Sequence, residues 1–181
     1  MPRIDPVNAE TADAATAALL GGVKKKMGAV PNIIATMANS PAVAKAYLSF
    51  SQSLAGGSLS PRLREQIALV VGENNSCGYC LAAHTALGKA AGLTEGETRD
   101  ARRAAASDDR ERAALVFAEK VVGERGNVSD DDIHQVRQAG YTDGEVTEIV
   151  ANVALNTFTN YFNHVAGTEV DFPAAPELTA A

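Results

Sequence analysis

Apolar positions in this chain fall at helical spacing, as in Leu63, Ile67, Leu69, Val70 and Val71 and in the apolar segment from Ile149 to Val165. β-Branched runs and turn-bounded alternation, the marks of a half-buried strand, are almost absent. The pattern predicts an all-α fold with helices near 8–20, 31–38, 41–55, 61–74, 77–91, 95–105, 109–125, 130–139 and 143–166. Polar punctuation agrees with it. Ser40-Pro41 and Ser60-Pro61 each offer a capping hydroxyl followed by a proline whose missing N–H costs nothing at the first helical position. Thr94, Asp108, Ser129 and Thr142 are each followed by an acid at capping-box spacing, Glu97, Glu111, Asp132 and Glu145. Gly21-Gly22, Gly56-Gly57, Gly92, Gly126 and Gly140 stand where helices are expected to break or stop.

Ala occupies 34 of the 181 positions, which strengthens the helical reading. The length suits a single domain, 1–181, with the tail 171–181 expected as a loosely attached extension because of its prolines and small residues. With 16 basic against 22 acidic residues, the formal charge of -6 disfavours nucleic acid and anionic lipid as partners. No stretch is apolar enough to span a membrane, and Met1-Pro2-Arg3-Ile4-Asp5-Pro6 lacks a signal-peptide pattern, so a cytoplasmic protein is expected. Lys24-Lys25-Lys26 reads as a solvated helix face, His134 as an exposed residue and His164 as a packed one. Helix 143–166, which carries Tyr161 and Phe162, has more apolar surface than one face needs and points to burial between subunits. Glu145 and His164 repeat the spacing of Glu65 and His84, but Thr157 and Asn160 stand where the cysteines would be, and chance is the default reading.

Chemistry concentrates in residues 60–92. Cys77 and Cys80 are the only cysteines, and in a reducing compartment a C-x-x-C pair serves redox chemistry or metal binding more often than stapling. Asn74-Asn75-Ser76 ends one helix, and Ser76 is expected to cap the next at Cys77, so that unpaired N–H groups and the helix dipole favour a thiolate. Cys80 and His84 share a helical face, which suits nucleophile and base. If helices 61–74 and 77–91 form a hairpin, Glu65 sits level with His84 and can orient it or pass protons. Cys77, one turn before Cys80, is placed to form a disulfide once Cys80 has been oxidised to sulfenic acid. Zinc held by Cys77, Cys80, His84 and Glu65 is the alternative use of the same residues, although a second knuckle is missing.

Glu65, then Cys77-Gly78-Tyr79-Cys80, then His84 resembles the signature of the alkylhydroperoxidase D family, within the carboxymuconolactone decarboxylase superfamily. The segment from Phe158 to His164, running on to Val170-Asp171-Phe172-Pro173, resembles the peroxidase-related branch. The resemblance implies an all-helical homo-oligomer, trimer or hexamer, that reduces organic hydroperoxides with no metal or organic cofactor. It makes Cys80 the peroxidatic thiol, Cys77 the resolving thiol that meets a dithiol reductant of lipoyl or thioredoxin type, and His84 with Glu65 the proton relay. Founding members carry a histidine just before the second cysteine, where this chain has Tyr79. Other readings are a cofactor-free decarboxylase or isomerase, which needs no paired thiols, and a redox or zinc sensor.

Overall fold

The computed structural model describes residues 1–178, and among them the chain forms helices and no strand. In chain order these are α1 (Ala14–Met27), α2 (Asn32–Met37), α3 (Pro41–Ala55), α4 (Pro61–Asn74), α5 (Gly78–Ala90), α6 (Glu95–Ala101), α7 (Asp109–Gly123), α8 (Asp130–Gln138) and α9 (Asp143–Ala166). Among the described residues no helix is long and apolar enough to cross a membrane.

Side-chain chemistry at the helix ends accounts for most of these boundaries. Thr94 with Glu97, Ser129 with Asp132 and Thr142 with Glu145 close reciprocal capping boxes. Asp108 accepts from the Glu111 amide, but the Glu111 carboxylate is drawn away to Arg62 and Gln66, so the fourth expected box stays half-made. Ser60 accepts from the Leu63 amide, whereas Ser40 makes no side-chain cap and leaves α3 to its first-turn proline.

The first helix departs most from expectation. It runs from 14 to 27 rather than 8 to 20, because Asp13 accepts from the Ala15 and Thr16 amides and the Thr16 hydroxyl. Gly21-Gly22 does not break it. Both glycines lie on the open side with nothing within 4 Å of a would-be Cβ, while Leu20 and Val23 beside them are buried and hold the helix down. The stop comes at Gly28, whose φ of 82° is readily adopted by glycine. α6 and α7 also end early, at Ala101 and Gly123, ahead of left-handed residues at Ala104 and Arg125.

Helix α4 is the central element, packed against α5, α7 and α9. Its Ile67, Leu69, Val70 and Val71 are fully buried with Leu115 of α7 and Ile149 of α9. A second apolar cluster joins α1, α2 and α3 through Leu20, Ile34 and Met37 to the start of α5, where Cys77, Tyr79 and Cys80 lie. The cysteines therefore sit where the amino-terminal helices close over the α4–α5 pair.

The tail is not loose over its first residues. Asp171 accepts from the Asn32 amide at 2.8 Å, Phe172 packs edge-on against Tyr79, and Arg102 donates to the Pro176 carbonyl at 2.5 Å. Two aromatic rings, the Asp171 carboxylate and a half-buried arginine dock a segment whose composition suggested none of it. Residues 179–181 of the expected tail lie outside the described residues.

Candidate active site

The turn between α4 and α5 sets the site. Ser76 adopts a left-handed φ of 53°, and the cap of α5 is Cys77 rather than Ser76, its sulfur accepting from the Cys80 amide at 3.3 Å. A soft acceptor thus stands where a serine oxygen was expected, and the helix N-terminus supports the Cys77 sulfur directly. Cys77 and Cys80 are joined as a disulfide with Cα atoms 5.3 Å apart. Both are almost wholly buried, at 1% and 2% exposure.

Across the hairpin, His84 Nδ1 lies 2.7 Å from Glu65 Oε2, the pairing that equal height on the two helices implied. A carboxylate at one ring nitrogen fixes the ring and favours the proton on that nitrogen, leaving Nε2 free to accept. His84 and Cys80 line one small cavity of about 60 Å³. Cys77 is absent from that lining, so of the two cysteines only Cys80 borders the space that His84 borders. Among the described residues no group of three or more His, Cys, Asp and Glu side chains is arranged to hold a metal ion. In the zinc alternative the four residues would converge on one point, whereas here the sulfurs bond each other and His84 turns to Glu65.

Tyr79 has work outside this constellation. Its hydroxyl donates to the Asp171 carboxylate and accepts from the Ile33 amide at 3.3 Å, and its ring meets Phe172 at 5.8 Å between centroids, near perpendicular. Burial first, then the hydrogen bond to Asp171, push its ionisation well above the usual phenol range. Tyr79 ties the carboxyl-terminal segment to α2.

One residue was not anticipated. Asn163, 5% exposed on α9, donates its side-chain amide to Cys80 Sγ at 3.3 Å and reaches Cys77 Sγ at 4.0 Å. It closes a buried polar row formed with Asn152, Asn156, Thr159 and Asn160, and Asn160 accepts from Asn75 at 2.9 Å in the turn before Cys77. A signal existed in the sequence: polar residues at helical spacing on an otherwise apolar helix, facing the core instead of solvent. His164, expected to be packed, is instead exposed at the end of α9, because Asn163 takes the inward position beside it. Glu145 spends its carboxylate on the α9 cap and on Arg110, so the spacing echo with His164 carries no site. His134 is exposed, as expected.

Residues 41–120 match the model of the carboxymuconolactone decarboxylase family. No curated protein matches the chain in sequence. Among solved structures, the chain is similar to an alkylhydroperoxidase AhpD core protein, peroxidase-related and from Ralstonia eutropha JMP134, at 25% identity over 94% of this chain and 92% of that one, with a TM-score of 0.85. A peroxidase-related protein from Silicibacter sp. TM1040 is 24% identical over 92% of each chain, with a TM-score of 0.79. The debrominase Bmp8, as its C82A variant in complex with 2,3,4-tribromopyrrole, shares the fold at 19% identity over 93% of this chain and 91% of that one, with a TM-score of 0.80. The matched family segment holds Glu65, the cysteine pair and His84, the helices around it follow the AhpD-like fold, and the two findings together support a place in the AhpD-like branch of the carboxymuconolactone decarboxylase superfamily.

Proposed function

We propose that the protein is a thiol-dependent peroxidase that reduces organic hydroperoxides through a Cys77–Cys80 dithiol–disulfide cycle. The observation that carries this is the cavity that Cys80 and His84 line together, with His84 held by Glu65 at 2.7 Å. In the reduced protein the Cys80 thiol passes its proton to His84, and the thiolate attacks the terminal oxygen of the hydroperoxide. The O–O bond breaks, the alkoxide takes the proton back from His84 and leaves as the alcohol, and Cys80 is left as a sulfenic acid. The Cys77 sulfur then attacks Cys80, the S–S bond forms, and the hydroxide leaves with the Cys77 proton as water. A dithiol of lipoyl or thioredoxin type restores both thiols and is itself oxidised to a disulfide. The Cys77–Cys80 disulfide is the form that this cycle would leave after each hydroperoxide is reduced.

A cofactor-free decarboxylase or isomerase would use Glu65 and His84 and leave the buried sulfurs without a task. The peroxidase reading also includes self-association in the cytoplasm, as a trimer or hexamer. An exposed apolar row of Val150, Phe158, Tyr161 and Val165 on α9, with Tyr161 58% exposed, is the surface such an assembly would cover.

The test is a thiol count on reduced protein before and after one equivalent of tert-butyl hydroperoxide near neutral pH. Both thiols are lost and a dithiol restores them. Survival of both thiols after the pulse overturns the reading.

Asn163 has a checkable share in it. A donor at 3.3 Å stabilises a charged Cys80 sulfur more than a neutral one, and hydrogen bonds to charged groups are worth about 1.5–3 kcal/mol. Asn163→Leu keeps the volume and deletes that donor. Because Asn163 Oδ1 has no hydrogen-bond partner, few other polar contacts are lost. The expected outcome is a rise in the Cys80 thiol pKa, read from thiolate absorbance in a Cys77→Ser background, with oxidation at neutral pH slowed about tenfold. An unchanged pKa would show that the amide only fills space.

A further inference from the structure

The cavity at Cys80 does not end at His84. A larger one of about 300 Å³ adjoins it, and the two share Met27, Ile34, Tyr47, His84, Leu87 and Thr159. The smaller cavity, beside Cys80, is lined largely by apolar residues such as Ile33 and Phe172. The larger one also carries charge, with Lys26 from the end of α1 and Arg64 from the start of α4 on its wall.

The charges on this surface can be enumerated. Lys26 and Arg64 are the cations and Glu65 is the one carboxylate, already engaged by His84. Tyr47 stays a neutral phenol, its ionisation raised by burial and then by Glu65. Among the described residues neither Lys26 nor Arg64 forms an ion pair, and Arg64 gives one N–H to the Leu59 carbonyl at 2.5 Å. In a chain with a formal charge of -6, this wall reverses the local sign. The Arg64 guanidinium is half-buried, and its planar fork matches a carboxylate. Lys26, expected on a solvated lysine run, is exposed and lines the larger cavity.

We propose that the substrate is an anionic amphiphile: an apolar body with a hydroperoxide that reaches Cys80 and a carboxylate that meets Arg64 and Lys26. This rests on the peroxidase reading for its reaction and on the cavity alone for its binding. The smaller cavity beside Cys80 takes the neutral O–O group, and the larger one takes the chain and its charged end. A compact neutral hydroperoxide leaves the larger cavity unused.

The experiment compares the ω-hydroperoxide of decanoic acid with its methyl ester, using dithiothreitol as reductant. The acid is expected to show a kcat/KM about tenfold or more above the ester, the value of a charged hydrogen bond. The ratio falls toward one in Arg64→Gln and falls part of the way in Lys26→Gln, whose exposed position makes it safe for folding. Equal rates for acid and ester, or a ratio that neither variant changes, overturn the proposal. Calorimetry with unreactive ω-hydroxydecanoate and its methyl ester on the disulfide form separates the two readings. If no hydroperoxide oxidises the thiols yet the hydroxy acid binds in an Arg64-dependent way, the peroxidase reading falls and the anion site stands. If the hydroxy acid binds no better than its ester, or binds Arg64→Gln equally well, the anion site is refuted whatever the reaction.

Discussion

Cys80→Ser abolishes hydroperoxide consumption, while Cys77→Ser still undergoes one oxidation per chain and stops at the sulfenic acid. The two sulfurs differ in surroundings although both are buried. Cys80 faces the cavity shared with His84 and receives the Asn163 amide, whereas Cys77 turns toward the first turn of α5 and receives the Cys80 amide. A hydroperoxide in the cavity therefore meets Cys80 first. Serine at position 80 keeps the shape and removes the nucleophile, since a hydroxyl is far less acidic than a thiol and does not attack an O–O bond. With Cys77→Ser the first step is intact, and the sulfenic acid has no neighbouring thiol with which to condense. The measurement is hydroperoxide loss with dimedone trapping and intact mass. Turnover by Cys80→Ser, with a trapped sulfenic acid on Cys77, would reverse the two roles.

The sequence was most informative where one residue decides a local conformation. Capping boxes at Thr94, Ser129 and Thr142 marked three helix starts, and hairpin arithmetic brought Glu65 and His84 to the same height. It was least informative where a contact joins distant segments. Tyr79 stood out only as the residue in place of a histidine, and its partners Asp171 and Phe172 lie far along the chain. Asn163 was hidden for the same reason: only the packing of α9 on α5 shows that its amide meets a sulfur. The amino-terminal boundary failed differently. Gly21-Gly22 has low helix propensity, and burial of Leu20 and Val23 outweighs it, a tertiary term that no local window contains.

The Glu65–His84 pair carries the second large effect. His84→Phe lowers the second-order rate of Cys80 oxidation by about 10²–10⁴, the usual contribution of a positioned general base. Phenylalanine keeps a ring in the cavity wall, so the loss reports the missing nitrogen rather than a void. In this variant the rate follows the ionisation of the thiol itself and climbs with pH until the thiolate is fully formed. Glu65→Gln is milder, because an amide can still hold the ring while lacking the charge that stabilises an imidazolium; about tenfold is expected, the order of one charge-assisted hydrogen bond. The decisive comparison is the double variant. If Glu65 acts only through His84, adding Glu65→Gln to His84→Phe changes nothing further, and the two effects are non-additive. Multiplying effects would mean that Glu65 acts on the thiol or the hydroperoxide independently, through the cavity it also lines. A Glu65→Gln protein with the wild-type rate and pH profile would remove Glu65 from the reaction and leave the 2.7 Å contact as a helix–helix tie.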